Sequence, residues 1–397
     1  MPNDPSLRLP DGVIDLAIAG ADRILGEVGV QLLDDAESIE RLRRAGAHVT
    51  SGRGAIGGEA MGDGSGARVR SSVGALLDIV SSAPRSFVHH ALDPERSVEI
   101  GGPTPVCAPV YGPPNVIDDD GIRRPATMAD YVELVRIADG LPGLASTGHM
   151  MCVPHDVDEP ERYLAMADAH LRCSAKPFLG STAGEQSTSD VIELTTRTIG
   201  AAGNALSPAA CVLMHLCNSI PPLTWRGRML GVLRASAIAG QGSLVTSFQM
   251  MGASGPTAVL GALSQALAES LVGLALTQLY RAGAPGVLGI YAVPFDMRTM
   301  QPRFGDPSSA LVQAGAVQLA HRIGVPALGY GGMTSSKVDD AQAGAESGLA
   351  TRASIDARAD FVIHSAGWLD NGRTVGFAKY RREGAALAGW TACSSQS

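Results

Sequence analysis

Residues 243–293 read SLVTSFQMMGASGPTAVLGALSQALAESLVGLALTQLYRAGAPGVLGIYAV. The segment divides itself. An apolar run fills 243–250, a Gly/Ser/Pro turn follows, and Pro256 stands at the start of a long apolar helix. A second turn then leads into a second apolar run at 286–293. Neither run alternates apolar with polar residues. Continuous apolar runs are expected of strands in a parallel sheet that helices cover on its faces. The unit is therefore strand, helix, parallel strand.

The same texture extends outward. Further runs are TPVCAPVY (104–111), LASTGHM (144–150), KPFLGST (176–182), ACVLMHLCN (210–218), VPALGYGG (325–332) and DFVIHSAG (360–367). Starts lie about 30–45 residues apart, the size of one strand–helix unit of a (β/α)8 barrel. Helix start signals fall between them: Thr127 with Asp130, Ser187 to Ser189, and Asp306-Pro307. Eight units match the barrel count. A doubly wound sheet is the alternative, but it usually has fewer units and a nucleotide loop after its first strand. No G-x-G-x-x-G follows the first run, no G-x-x-x-x-G-K-[ST] occurs, and Gly329, Gly331 and Gly332 are misspaced for a dinucleotide site. The expected fold class is α/β: a (β/α)8 TIM barrel over 101–380, with an N-terminal helical and strand extension over 1–100. In the extension, 11–46 reads as helical, 51–68 as a Gly-rich loop or hairpin, 71–82 as a short helix and 86–101 as paired strands. Residues 381–397 read as an irregular tail.

Composition removes several function classes. The chain has 397 residues, 45% hydrophobic and 18% charged, with net charge −8. Only Lys176, Lys337 and Lys379 are lysines, so no basic stripe exists for nucleic acid. The start, MPNDPSLRLP, lacks the pattern of a secretory signal. The most apolar region, near 257–279, is broken by Ser264, Gln265, Glu269 and Ser270, so no membrane span is expected. Six scattered cysteines imply no disulfide framework. A soluble, reduced, cytoplasmic protein is expected. The apolar helices at 258–279 and 308–323 pack within the barrel shell or between subunits, and a homo-oligomer is expected.

A barrel places its chemistry at the C-terminal strand ends. The shortlist is Tyr111, His149, Ser181, Thr182, Asn218, Gln249, Tyr291, Asp296, Arg298, Thr334 and His364. His149, Cys152 and His155 form H-x-x-C-x-x-H, which suits a zinc site by residue type but not by any common spacing. The plainer reading is a surface loop. Cys211, His215 and Cys217 share one strand face and read as core. Thr182 in G-S-T-A-G resembles a nucleophile elbow only in part. Lys176 starts its strand, on the stability face, and Lys337 reads as a solvated charge. The turn after Met250, with Gly252 and Ser254, lets a ligand approach a helix N-terminus; the plain alternative is a tight βα turn. Tyr291, Phe295 and Asp296 suit a cation by ring quadrupole and Coulomb attraction, and Arg298 suits a carboxylate. The ordinary alternative is an Asp296–Arg298 pair that shapes its loop. His364 ends the eighth run, where a histidine is either a rim hydrogen-bonder or part of the site.

Four segments carry a resemblance: GPPNVIDDDGIRRPATMAD (112–130), MMGASGPTAVLGALSQALAESLVGLALTQL (250–279), PFDMRTMQPRFGDPSSALVQAGAVQLAHRIGVP (294–326) and GGMTSSKVDDAQAGAESG (331–348). ILGEVGVQLLDD (24–35) and RRAGAHV (43–49) fit as well. Over roughly residues 15–377 the chain resembles the trimethylamine methyltransferase family of corrinoid-dependent enzymes. Some members carry pyrrolysine; this chain, with standard residues only, is similar to the branch without it. The resemblance implies a (β/α)8 barrel that moves a methyl group from a methylated amine, such as trimethylamine or glycine betaine, to the Co(I) of a corrinoid (cobalamin) carried by a partner protein, with no metal of its own. No general acid is needed when a quaternary nitrogen leaves as a neutral amine. In that reading Asp296 and His364 sit at the reacting centre. Tyr291 and Phe295 join Asp296 around the cation. Arg298, Asn218 and Gln249 join His364 on a substrate carboxylate, with His149 also in the substrate pocket. Gly252, Ser254, Gly331 and Gly332 lie where the corrinoid approaches.

The chain departs from the family after His364. Members usually continue further, with an acidic residue near the position of Ala378, whereas this sequence ends in TACSSQS. A shortened C-terminus, an incomplete eighth helix and a missing cap are expected. Aromatic residues make up only 4%, which limits an aromatic cage. Two other readings stand beside the methyltransferase: a zinc-assisted barrel enzyme using His149, Cys152 and His155, and a degenerate amine-binding paralogue without turnover.

Overall fold

Continuous apolar runs belong at the centre of a helix-covered sheet, and a computed structural model of the chain places them there. It describes residues 8–51, 65–203, 207 and 210–394. Seven runs form parallel strands in the order Val106–Cys107, Phe361–Ile363, Ala327–Tyr330, Gly286–Asp296, Gly242–Met251, Leu213–Asn218 and Phe178–Leu179. The remaining run, 144–150, is not a regular strand, because Gly148 holds φ 70°. It still joins the two edges. Ser146 N donates to Cys107 O at 3.2 Å, Thr147 N to Pro177 O at 3.1 Å, and Leu179 N to Gly148 O at 2.8 Å. The sheet is thus a closed (β/α)8 barrel, and the open-sheet alternative is gone.

A helix follows each of the eight: Met128–Gly140, Glu159–Cys173, Glu185–Ala201, Gly227–Ile238, Val259–Tyr280, Pro307–Ile323, Ala341–Asp356 and Phe377–Ser394. Two of the start signals hold. Thr127 and Asp130 form a capping box, and Asp306 accepts from Ser308 N with Pro307 next to it. Two do not. The third helix begins at Glu185, so Ser187 to Ser189 lie inside it. The fifth begins at Val259 rather than at Pro256. There Met250 O accepts from the backbone N of Ala253, Ser254 and Gly255, which prolongs the turn.

Val259–Tyr280 is long and apolar enough to cross a membrane, yet 83% of its most apolar window is buried inside the protein. On one side it approaches the sheet so closely that a Cβ on Gly273 would lie 2.6 Å from Val245 Cγ1 and 2.7 Å from Trp225 Cζ2. On the other it is covered by the N-terminal helices Asp11–Arg23 and Val73–Val80. This explains an apolar helix without a polar face.

The extension differs from a continuous helical reading of 11–46. Gly29, at φ 77°, ends the first helix, and Val30–Leu33 is a strand buried along its length. It pairs antiparallel with Gly66–Arg70 and parallel with Thr224–Arg226, so the extension is stitched to the loop after the fourth barrel run. His48–Ser51 and Gly66–Arg70 pair antiparallel, as a hairpin requires; 52–64, the centre of the Gly-rich expectation, lies outside the described residues. Val73–Val80 and the pair Phe87–His89 with Val98–Ile100 fall where the sequence suggests.

The C-terminal expectation needs correction. Phe377–Ser394 is an 18-residue helix, so the eighth helix is formed and 381–394 is not an irregular tail; 395–397 lie outside the described residues. Good helix formers around Gly384 (Arg381, Arg382, Glu383, Ala385, Ala386, Leu387 and Ala388) favour it. It is also locked in place. The fully buried Lys379 pairs with Glu383, donates to Ser347 Oγ at 2.7 Å and reaches Gly332 O at 3.5 Å, while Glu383 accepts from Gly367 N at 2.9 Å. The ends of the last two barrel strands are tied to this helix.

Candidate functional site at the barrel mouth

Alternation along each strand decides which side chains face the barrel axis. Asn218 and Thr246 are hydrogen-bonded across adjacent strands, and Thr246, Leu328 and Tyr330 crowd the missing Cβ of Gly289. These positions face the axis. The odd-numbered neighbours face the helices: Ser247 Oγ donates to Glu269 Oε2 at 2.8 Å. Phe248 and Met250 therefore face the axis, and Gln249 does not. Its amide sits behind the strand against Gly255, 3.4 Å from Ser247 Oγ. Gln249 is thus corrected out of the substrate pocket, and Phe248 takes the position that the sequence reading gave it.

Aromatic residues are few, but the mouth gathers them. Phe248 stacks on Tyr291 with centroids 5.5 Å apart, and Tyr291 lies 4.9 Å from Tyr330 and 6.4 Å from Phe304. Phe304 meets Trp368 edge-on at 5.2 Å, and Trp368 meets His364 edge-on at 4.6 Å. Tyr330 stacks on His364 at 6.1 Å. The scarcity of aromatics in the whole chain therefore does not limit a local cage. Tyr291, Phe304, Tyr330 and Trp368 are buried, whereas Tyr111, Thr182, Asn218, Phe248 and Met250 are partly open to solvent. Behind the rings, a cavity of about 10 Å³ against Asp306, Ser309 and Gln313 has the space of one water.

His364 holds φ 59°, an uncommon conformation for a residue other than glycine. The turn aims Nδ1 at the backbone N–H of Tyr111, which donates at 3.1 Å. Burial pushes the imidazole down to about 3, so it is neutral near pH 7. Tyr111 OH and Thr182 Oγ1 lie 3.1 Å apart across the first and third runs. The mouth thus offers ring faces and neutral hydrogen-bonding groups.

Asp296 lies elsewhere. It ends a strand that continues into a hairpin with Gln301–Pro302, and its Oδ1 accepts from Arg298 N at 2.8 Å and Thr299 N at 3.4 Å. Those N–H groups hold its carboxyl below the usual range. Arg298 is exposed on the same turn, and Phe295 is half-buried at its base. The loop-shaping reading fits these contacts, and Asp296 is not among the groups around the rings.

His149 is fully buried, with both ring nitrogens unpartnered, between Tyr111 at 6.2 Å, Tyr163 at 5.8 Å and His170 at 6.4 Å. Burial lowers it to about 3. Cys152 is buried, and His155 lies at the surface with Nε2 3.0 Å from Pro114 O. The three do not converge, and among the described residues no group of three His, Cys, Asp or Glu could hold a metal ion. The zinc reading is therefore withdrawn. His215 and Cys217 are core, facing the shell, with His215 Nδ1 2.8 Å from Ser236 Oγ.

The four small residues expected beside a cofactor serve local packing. Gly252 N donates to Gly255 O at 2.8 Å, and Ser254 Oγ accepts from Met250 N at 3.0 Å, which closes the turn on itself. Gly331 and Gly332 are buried; Gly332 N donates to Thr351 Oγ1 at 2.9 Å, and a Cβ there would strike His364 O. Small size is required at 332 by the neighbouring strand.

Sequence reading also missed Glu269. It is fully buried and accepts from Ser219 Oγ at 2.5 Å, Ser247 Oγ at 2.8 Å, Leu223 N at 2.8 Å and Gln265 Nε2 at 3.0 Å. Burial raises its carboxyl above the usual value. It pins the 219–223 loop at the rim. A lone carboxylate within an apolar helix was the available signal.

A family model described as trimethylamine methyltransferase (MTTB) matches residues 9–383. Glycine betaine methyltransferase of Desulfitobacterium hafniense (strain Y51) is 36% identical over 301 residues, covering 76% of this chain and 62% of that relative. Proline betaine:corrinoid methyltransferase of Eubacterium limosum is 26% identical over 360 residues, covering 87% of this chain and 69% of the relative. The chain thus spans between three-fifths and seven-tenths of the length of these two relatives. Among solved structures, the monomethylamine methyltransferase MtmB of Methanosarcina barkeri aligns with a TM-score of 0.54 and 11% identity, over 98% of this chain and 74% of that one. That likeness concerns the fold.

Proposed function

This chain belongs to the trimethylamine methyltransferase family, and from that premise we propose that its barrel mouth binds a quaternary methylated amine of the betaine class and presents one methyl group to a corrinoid carried by a partner protein. The observation that carries the substrate class is the run of rings Phe248, Tyr291, Tyr330, His364 and Trp368. A methylated ammonium has no N–H to donate, so ring faces hold it better than hydrogen-bond acceptors do. The cavity behind the rings is too small for it, so its seat is the axial side, where Phe248, Met250, Asn218, Thr182 and Tyr111 meet solvent.

The corrinoid supplies the nucleophile that takes the methyl carbon. The C–N bond breaks, and its electron pair stays on nitrogen as a neutral tertiary amine, so no proton moves. The chain's residues orient the head and exclude water. Asn218 and the Tyr111–Thr182 pair are placed to meet a carboxylate at the open side; neutral His364 leaves the cation unopposed.

The test is demethylation. Purified protein with reduced corrinoid is given glycine betaine, proline betaine or trimethylamine, and the demethylated amine is measured by mass spectrometry. Loss of a methyl from a betaine, dependent on the corrinoid, is expected. No loss from any of the three, under conditions where a betaine methyltransferase works, would overturn the proposal.

A further inference from the structure

A carboxylate on the seventh barrel helix ties three mouth segments together, although it is nowhere near the axis. Glu346 Oε2 accepts from Thr334 Oγ1 at 2.6 Å and from Ser335 N at 2.7 Å, and Gln342 Nε2 donates to its other oxygen at 3.0 Å. The turn it holds is a hub. Thr334 O accepts from Trp368 Nε1 at 3.1 Å and from Asn371 N at 3.3 Å. Ser335 Oγ accepts from Phe304 N at 3.0 Å and donates to Pro302 O at 3.3 Å. Gly305 packs straight onto the Glu346 stem, since a Cβ there would overlap Cγ. The hairpin that carries Phe304 and the strand end that carries Trp368 therefore meet on one turn; Glu346 holds it at Thr334 and Ser335, the two residues that bond those segments, and Asp340 Oδ1 accepts from Ser336 Oγ at 3.0 Å at its far end.

We propose that Glu346 is a positioning residue: as a hydrogen-bond acceptor it fixes the 334–336 turn, and through it the Phe304 and Trp368 rings that back Tyr291 and His364. The effect on substrate rests on the betaine reading above; the effect on the rings does not. Both key bonds enter a single oxygen, so an amide oxygen can replace it. Glu346→Gln should keep the arrangement and Glu346→Ala should lose it.

Two readouts separate the claims. Near-ultraviolet circular dichroism reports ring packing without substrate, and glycine betaine titration by calorimetry reports the site. Glu346→Ala should lose much of the aromatic band with the far-ultraviolet spectrum intact, and should bind betaine about tenfold more weakly or worse. Glu346→Gln should keep the band and bind within about threefold of the parent. Ser335→Ala, which removes the acceptor for Phe304 N and the donor to Pro302 O but leaves both Glu346 bonds, gives an intermediate band change and stands in if Glu346→Ala does not fold. An unchanged band in Glu346→Ala or Ser335→Ala overturns the positioning role, whatever the affinity. Equal loss in the Gln and Ala variants also overturns it, because the charge would then matter rather than the acceptor. A band that responds as expected in a parent protein that binds no betaine supports the positioning role and sinks the substrate reading instead.

Discussion

Replacing Phe248 by leucine separates ring electrostatics from simple burial. Phe248 faces the axis, is partly open to solvent, stacks on Tyr291 at 5.5 Å and lies tilted against Phe304 at 6.3 Å. Leucine keeps the surface apolar but removes the quadrupole. A cation over one ring gains about 0.5–2 kcal/mol, the upper end when water is excluded. At about 1.4 kcal/mol per tenfold, the variant should bind glycine betaine roughly 2–30-fold more weakly. The assay is calorimetric titration with glycine betaine and with 3,3-dimethylbutanoate, in which carbon replaces the charged nitrogen. The isostere feels shape and burial but no cation attraction. Phe248→Leu should therefore narrow the preference for betaine over the isostere, while affinity for the isostere changes little. An unchanged preference in Phe248→Leu, with the parent protein still preferring betaine, would refute ring-based recognition at this face. Some stability loss is expected too, since two aromatic contacts vanish at about 0.5–1.5 kcal/mol each.

Glu269→Ala strands four donors in a buried site and should lower the free energy of unfolding by about 3–5 kcal/mol, read from denaturant midpoints; an unchanged midpoint would show that the 219–223 loop does not depend on it. Acid should destabilise the protein through its buried imidazoles. His89 is lowered to about 4, and His149, His170, His215 and His364 to about 3, in each case chiefly by burial. The unfolded chain takes up these protons near pH 6.5 while the folded one does not, so their contribution is complete above about 6.5 and is lost as pH falls from there towards 3–4. Unfolding midpoints at pH 7.5, 6 and 5 check this, and a flat profile over that range would contradict it.

The barrel was legible because its strands are buried on both faces, and the resulting apolar runs recur with strand–helix spacing. The same feature hid part of the site. In SLVTSFQM both faces are apolar or small, so the pattern does not say whether Phe248 or Gln249 points to the axis; only the pairing of Thr246 with Asn218 decides it. Tyr291, Asn218 and His364 were found from strand-end position alone. Phe304 and Trp368 were not, because Phe304 stands on a loop and Trp368 on a two-residue strand too short to show periodicity, and their role depends on contacts between segments more than 60 residues apart in sequence. Asp296 misled for a local reason: a carboxylate beside Tyr291 and Phe295 at a strand end suits a cation, but its oxygen caps the turn's own N–H groups. Val30–Leu33 looked helical because four apolar or amphipathic residues continue a helical rhythm, and the break at Gly29 shows only in its backbone angle.

Crystals of the protein soaked in glycine betaine would locate the ligand directly. The trimethylammonium group should lie within about 6 Å of the Phe248 ring centroid, on its solvent-facing side. A betaine seated instead against Asp296 and Arg298 on the outer hairpin, with the rings untouched, would contradict the account.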